Sequence, residues 1–159
     1  MLRQVQTIAG AVIGSVAIAA FVLGAAFSSS ERFDAPPLWL VGLQVLAGFA
    51  VHLVVEAVGY RTAPLHIETS EADARRQSMR VFMTGTFVRL SLCESIAIGS
   101  VVAGFLVDSG GYVGILTGAA VSLALLSLHA WPSARPIHKT AESLERDGAR
   151  SYLREQLGV

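Results

Sequence analysis

Four long apolar runs, separated by polar or helix-breaking stretches, organise this chain: Val5 to Phe27, Leu38 to Tyr60, Val81 to Val107 and Tyr112 to Trp131. A hydrocarbon core about 30 Å thick is crossed by about twenty helical residues, so each run is long enough to span it. No water satisfies the backbone inside lipid, which makes each run a helix. The breakers are "SSSERFDAPP", the polar segment from Arg61 to Arg80, and "DSGG". The pattern predicts an all-α fold, an integral membrane four-helix bundle. The first run follows the short basic "MLRQ" and ends in the small residues "LGAAFSS", as a signal peptide would. Its apolar core exceeds the roughly 7 to 15 residues of a signal sequence, which predicts a retained helix.

Local signals refine the ends. In "TSEADARRQSMRVF", Ser70 stands where a helix cap is needed and Asp73 three residues later, in the capping-box position. The third helix is therefore expected to begin near Glu71 and to pass Val81 without a break. Pro132 and Pro136 separate the fourth span from the tail, dividing the chain into a membrane domain over 1–136 and an amphipathic tail over 137–159. In the tail, Leu144, Tyr152, Leu153 and Leu157 share one side of a helical projection, as in a short interfacial or cytoplasmic helix.

Composition agrees with lipid as the solvent: 53% of residues are hydrophobic and 15% charged. Twelve basic and twelve acidic residues cancel, so no global field points to a nucleic-acid partner. Their placement is informative. The N-terminus (Arg3), the second loop (Arg61, Arg75, Arg76, Arg80) and the tail (Arg135, Lys139, Arg146, Arg150, Arg154) hold ten of the twelve basic residues, while the opposite loops hold only Arg32. The positive-inside rule then puts both termini and the second loop in the cytoplasm of a bacterial inner membrane, with the loops at Glu31 to Pro37 and Asp108 to Gly110 outside.

Small residues recur at helical spacing. Gly10 and Gly14, extended by Ala17, form one row; Ser91, Ser95, Gly99 and Ala103 a second; Gly114, Gly118 and Ser122 a third. Such rows allow close helix approach, either within the bundle or between chains.

Polar groups inside the runs are the candidate functional residues. His52 and Glu56 share a face of the second helix, and Arg89 lies about 12 Å along the third helix from Val81, at a similar depth. An Arg89 to Glu56 ion pair is expected, because an isolated mid-bilayer charge costs at least about 2.5 to 3.5 kcal/mol. The alternatives are an ion or proton path through His52, Glu56 and Arg89, and snorkelling of Arg89 and Glu56 to the cytoplasmic interface. Glu94 lies near mid-membrane, about 140° around the helix from Arg89. It needs a hydroxyl, a water, a neighbouring chain or protonation, and is expected to face the bundle interior or a protein interface. Cys93, the only cysteine, reads as packing.

The segment "RRQSMRVFMTGTFVRLSLCESIAIGSVVAGF" resembles the second helix of the proteolipid c subunit of rotary ATP synthases. In that family an Arg-Gln loop, matched here by Arg76 and Gln77, precedes a helix with a central proton-carrying carboxylate, matched by Glu94. The resemblance implies proton carriage by Glu94 in an oligomer. Arg89, five residues before the carboxylate, and the long second loop depart from the family's pattern. The whole chain is similar to small four-helix bacterial membrane proteins with no assigned function.

Signatures of hydrolases, metalloproteases and nucleotide-binding enzymes are missing from the sequence. His66, His129 and His138 show no ligand spacing, so no metal and no cofactor is expected. The expected function is that of a non-enzymatic accessory, assembly or stabilising subunit of a larger respiratory or transport complex, in contact with the lipid bilayer and with other membrane subunits or further copies of itself. The alternative is a proton- or ion-conducting oligomer using Glu94.

Overall fold

The computed structural model describes residues 2–26 and 33–159, and among these all regular structure is helical. Phe27, where the first run was expected to end, and Glu31 and Arg32 in the first loop lie outside the described residues. Helix α1 spans Leu2–Ala26. Helix α2 spans Leu38–Val54 and closes with a wider π-type turn over Val55–Gly59; α3 spans Glu71–Leu106. Helix α4 spans Gly111–Leu125 and likewise ends in a π-type turn over Leu126–Ala130, before α5 (Ala134–Glu145) and α6 (Leu153–Leu157). Four of these helices are long and apolar enough to cross a membrane: Val5–Leu23, Leu38–Gly59, Glu71–Leu106 and Gly111–Ala130.

Helix α3 starts where its cap dictates. Ser70 Oγ accepts from the Asp73 N–H at 3.3 Å and donates to the Asp73 carboxylate at 2.7 Å, and the helix runs unbroken past Val81 to Leu106.

Helix α4 packs against α1, α2 and α3, with α3 its most extensive neighbour. Small residues set this closeness. A Cβ on Gly118 would overlap Ser100 Oγ, one on Gly114 would sit 2.8 Å from Leu40 Cδ2, and one on Gly104 would sit 2.7 Å from the Gly111 carbonyl. The Gly114, Gly118, Ser122 row is thus an intramolecular seam, and Ser122 Oγ donates to the Cys93 carbonyl across it at 2.8 Å. The second row points elsewhere: Ser91, Ser95 and Gly99 are exposed, Ala103 is half-buried, and nothing lies within 4 Å of a Cβ built on Gly99. On α1, Gly14 faces equally open space, while a Cβ on Gly10 would sit 3.8 Å from the Trp131 ring. Sequence reading missed Gln44, which is buried and ties three helices by donating to Ser100 Oγ at 3.1 Å and to the Gly114 carbonyl at 2.8 Å.

The described residues form two apolar cores. One lies within the membrane-length helices, around Val16, Leu90, Cys93, Ala119 and Leu126. The other joins the start of α1 to the tail, with Val5, Leu65, Phe82, Ile137, Leu144, Leu153 and Leu157 buried together. The tail is not one helix. Its chain reverses through Gly148 (φ +90°) and Tyr152 (φ 56°), which puts Leu144 on α5 and Leu153 and Leu157 on α6. Pro136 lies in the first turn of α5, where its missing N–H goes unused.

Glu145 closes that reversal. Its carboxylate accepts from Ser151 N–H at 3.0 Å, from Ser151 Oγ at 2.6 Å and from Arg154 at 2.6 Å. Burial alone would raise its pKa, but the Ser151 and Arg154 hydrogen bonds outweigh burial and hold it below the ordinary glutamate value. A depressed carboxyl stabilises the fold above its unfolded pKa. That contribution is lost as the pH falls below about 4.3 and through the folded value. The protection of residues 146–157 against hydrogen exchange, relative to the intrinsic rate at each pH, is accordingly expected to fall on acidification before that of α3 and α4. Simultaneous exchange of all segments would contradict it.

Candidate functional site

His52, Glu56, Arg89 and His129 gather at the end of the bundle that carries the tail. Its frame is set by the terminal turns of α2 and α4. A helix leaves its last four carbonyls without intrahelical donors, and its C-terminus carries a partial negative charge. Arg89, only 1% exposed, answers both. Its Nε donates to the His129 carbonyl at 3.0 Å, a terminal nitrogen to the Gly59 carbonyl at 3.0 Å, and the other to Thr86 Oγ1 at 3.0 Å. The guanidinium also lies 4.7 Å from the Tyr60 ring centroid, in cation–π geometry. One buried cation thus joins two helix C-termini.

This corrects the expected Arg89 to Glu56 pair. Among the described residues no carboxylate lies within 4 Å of the guanidinium. Glu56 turns instead to α5, where it meets Arg135 at 2.8 Å and Lys139 in a short contact. The physical reason is twofold: two helix ends supply Arg89 with carbonyl partners, and α5 folds back to bring two cations to Glu56.

His129, scattered in the sequence reading, is the hub of a hydrogen-bonded chain. Its Nε2 lies 2.9 Å from His52 Nδ1, and its Nδ1 lies 2.9 Å from the Tyr60 hydroxyl and 3.7 Å from Glu56. His129 is fully buried, whereas His52 and Glu56 are half-buried. The available signal was depth: His129 closes the fourth span at the end where Glu56 closes the second. His66 and His138 do not join the cluster, and His138 accepts from Arg154 at 3.1 Å.

His52, Glu56 and His129 offer donor atoms within 4.8 Å of one another, a two-histidine, one-carboxylate set with the dimensions of a metal site. Its electrostatics oppose a dication, because Arg135 and Lys139 already neutralise Glu56. The arrangement is best suited to locking α2, α4 and α5 together.

Glu94 stands apart. It lies on the flank of α3's buried face, between buried Leu90, Cys93 and Ala97 and exposed Phe87, Ser91 and Ile98. The side chain is half-buried, so it is neither deep in the interior nor free of the bundle. Among the described residues it has no hydrogen-bond or ion-pair partner. Beside it runs the outward row of Ser91, Ser95 and Gly99. That row borders a groove of about 210 Å³ between α2 and α3, lined by Leu40, Gln44, Ala47, Ser95 and Gly99 among others. Gln44 Oε1 is buried there without a donor.

Comparison with protein-family models, curated proteins and solved structures finds no match to this chain.

Proposed function

We propose that the chain is a non-enzymatic accessory subunit of a membrane complex, docking through the Glu94 face of α3. The observation that carries this reading is a half-buried carboxyl, well inside a helix long and apolar enough to cross a membrane, with no polar partner among the described residues. Such a group is costly in lipid and gains most from a hydrogen-bond donor or cation on another membrane helix. The adjoining Ser91, Ser95 and Gly99 let that helix approach closely. Both termini and the basic loops lie on the cytoplasmic side of the bacterial inner membrane in this reading, supported by the bias of basic residues to one end.

The test is capture from native membranes of the tagged full-length chain. The natural sequence is expected to bring down a membrane protein in stoichiometric amount. Glu94→Leu should lose it while unfolding no earlier than the natural chain, because Glu94 makes no internal bond. A natural chain that purifies alone and monodisperse defeats the docking reading.

A second reading shares the same observation. A titratable carboxyl on an outward flank beside small residues is also suited to a proton-conducting oligomer, similar in principle to the rotary proteolipids. Glu94→Gln separates the two, since glutamine keeps hydrogen bonding and loses the proton. Unchanged proton flux into liposomes on that substitution ends the conducting reading; abolished flux with retained assembly favours it.

A further inference from the structure

A second cavity, of about 330 Å³, opens beside Arg89 on the face of the bundle between the end of α2, α3 and α5. Three arginines line it, Arg61, Arg80 and Arg89, with the threonines Thr62, Thr84 and Thr140 and no carboxylate. Arg61 and Arg80 are exposed, and neither has an ion-pair partner among the described residues. Six basic side chains elsewhere at this end differ: Arg75, Arg76, Arg135, Lys139, Arg150 and Arg154 all meet carboxylates. Arg89 forms the floor and spends three of its five N–H donors on Gly59, His129 and Thr86. Two glycines leave room there: a Cβ on Gly85 would press on the Arg89 guanidinium at 3.1 Å, and one on Gly59 would sit 3.5 Å from Arg89 Cγ.

The remaining wall is apolar and faces outward. Val58 is 56% exposed and Val88 49% exposed, and both lie in helices of membrane-crossing character. The cavity thus joins a cationic, hydroxyl-lined pocket to an outward-facing apolar slot. Arginine offers paired donors to phosphate oxygens, and basic pockets between membrane helices take lipid head groups.

We propose that this cavity binds the phosphate head group of an anionic glycerophospholipid. The phosphate sits between Arg61 and Arg80 with Thr84 as a hydroxyl donor, and an acyl chain lies along Val58 and Val88. This site is separate from the Glu94 face and stands or falls independently of it.

The test uses the full-length chain, delipidated in neutral detergent, titrated with phosphatidylglycerol, with phosphatidylcholine or with inorganic phosphate, and read by native mass spectrometry and by thermal shift. Phosphatidylglycerol is expected to remain bound and to raise the unfolding temperature, and phosphatidylcholine to do neither. The double variant Arg61→Gln/Arg80→Gln is expected to weaken phosphatidylglycerol binding roughly 30-fold. Both side chains are exposed and unpaired, so the fold should be retained. Arg146→Gln/Arg150→Gln, which removes the same charge from the distal tail, should leave binding unchanged. Equal loss in the two double variants would overturn the site in favour of a diffuse charge effect. Saturation by inorganic phosphate alone, with no retained lipid, would overturn the lipid as its ligand.

Discussion

Arg89→Met is expected to lower the stability of the folded chain by about 3 to 5 kcal/mol, one of the largest effects of any single substitution in this molecule. Methionine fills much of the arginine's volume, so the loss comes from bonding. Two helix-terminal carbonyls, the buried one of His129 and the part-buried one of Gly59, would lose their donor, and each loss at a buried group costs about 1 to 3 kcal/mol. Thr86 loses a donor as well. Arg89→Lys should recover less than half of the loss. A single ammonium cannot present the planar fork that reaches two helix ends at once. Glu56→Gln should affect the Arg89 contacts little, because Glu56 belongs to α5 through Arg135 and Lys139. Equilibrium unfolding in mild detergent measures all three. An Arg89→Met variant as stable as the natural chain, or one rescued by Glu56→Gln, would restore the ion pair that the sequence suggests.

The second large effect is expected at Gly118. A methyl group there overlaps Ser100 Oγ and comes within 3.2 Å of Gln44 Nε2, so Gly118→Ala must push α4 from α3 and disturb the Gln44 bridge. Overpacking of this kind costs about 1 to 3 kcal/mol, and the crowded seam puts Gly118→Ala at the upper end. Ser100→Gly removes the overlapping atoms, so Gly118→Ala/Ser100→Gly should unfold later than Gly118→Ala alone. Gly14→Ala and Gly99→Ala serve as controls. Both positions face open space, and the isolated chain should gain slightly from the better helix former. Thermal unfolding of the four variants checks the set, and equal losses at Gly118 and Gly99 would contradict the seam.

The elements were largely legible in the sequence because the physics that fixes them is local. Lipid-length apolar runs, the Ser70 cap and the "DSGG" breaker each act within a few residues, and the helices begin near where those signals place them. What escaped is non-local. Nothing in the spacing of His52, Glu56 and Arg89 reveals that α5 returns to the end of α2 and brings Arg135 and Lys139 to Glu56. Nor does spacing show that carbonyls in widened terminal turns substitute for a carboxylate opposite Arg89. The small-residue rows look alike in sequence. Gly118 meets Ser100 while Gly99 meets open space, a difference that depends on which side of each helix the neighbours occupy. His129 was visible as a residue but not as a hub, since its partners are contributed by a helix some seventy residues earlier.

The layer formed by His52, Tyr60, Arg89 and His129 lies between two apolar cores that share no member. Under load on the C-terminal end the molecule is therefore expected to yield in stages. A pull on the tail is borne first by α6 and α5 and the apolar contacts of Leu144, Leu153 and Leu157. The Glu56 ion pairs to α5 take load together with them, and the Arg89 hydrogen bond to the His129 carbonyl, at the end of α4, is expected to yield later. The membrane-length helices are expected to outlast the tail when the chain is pulled from its C-terminal end.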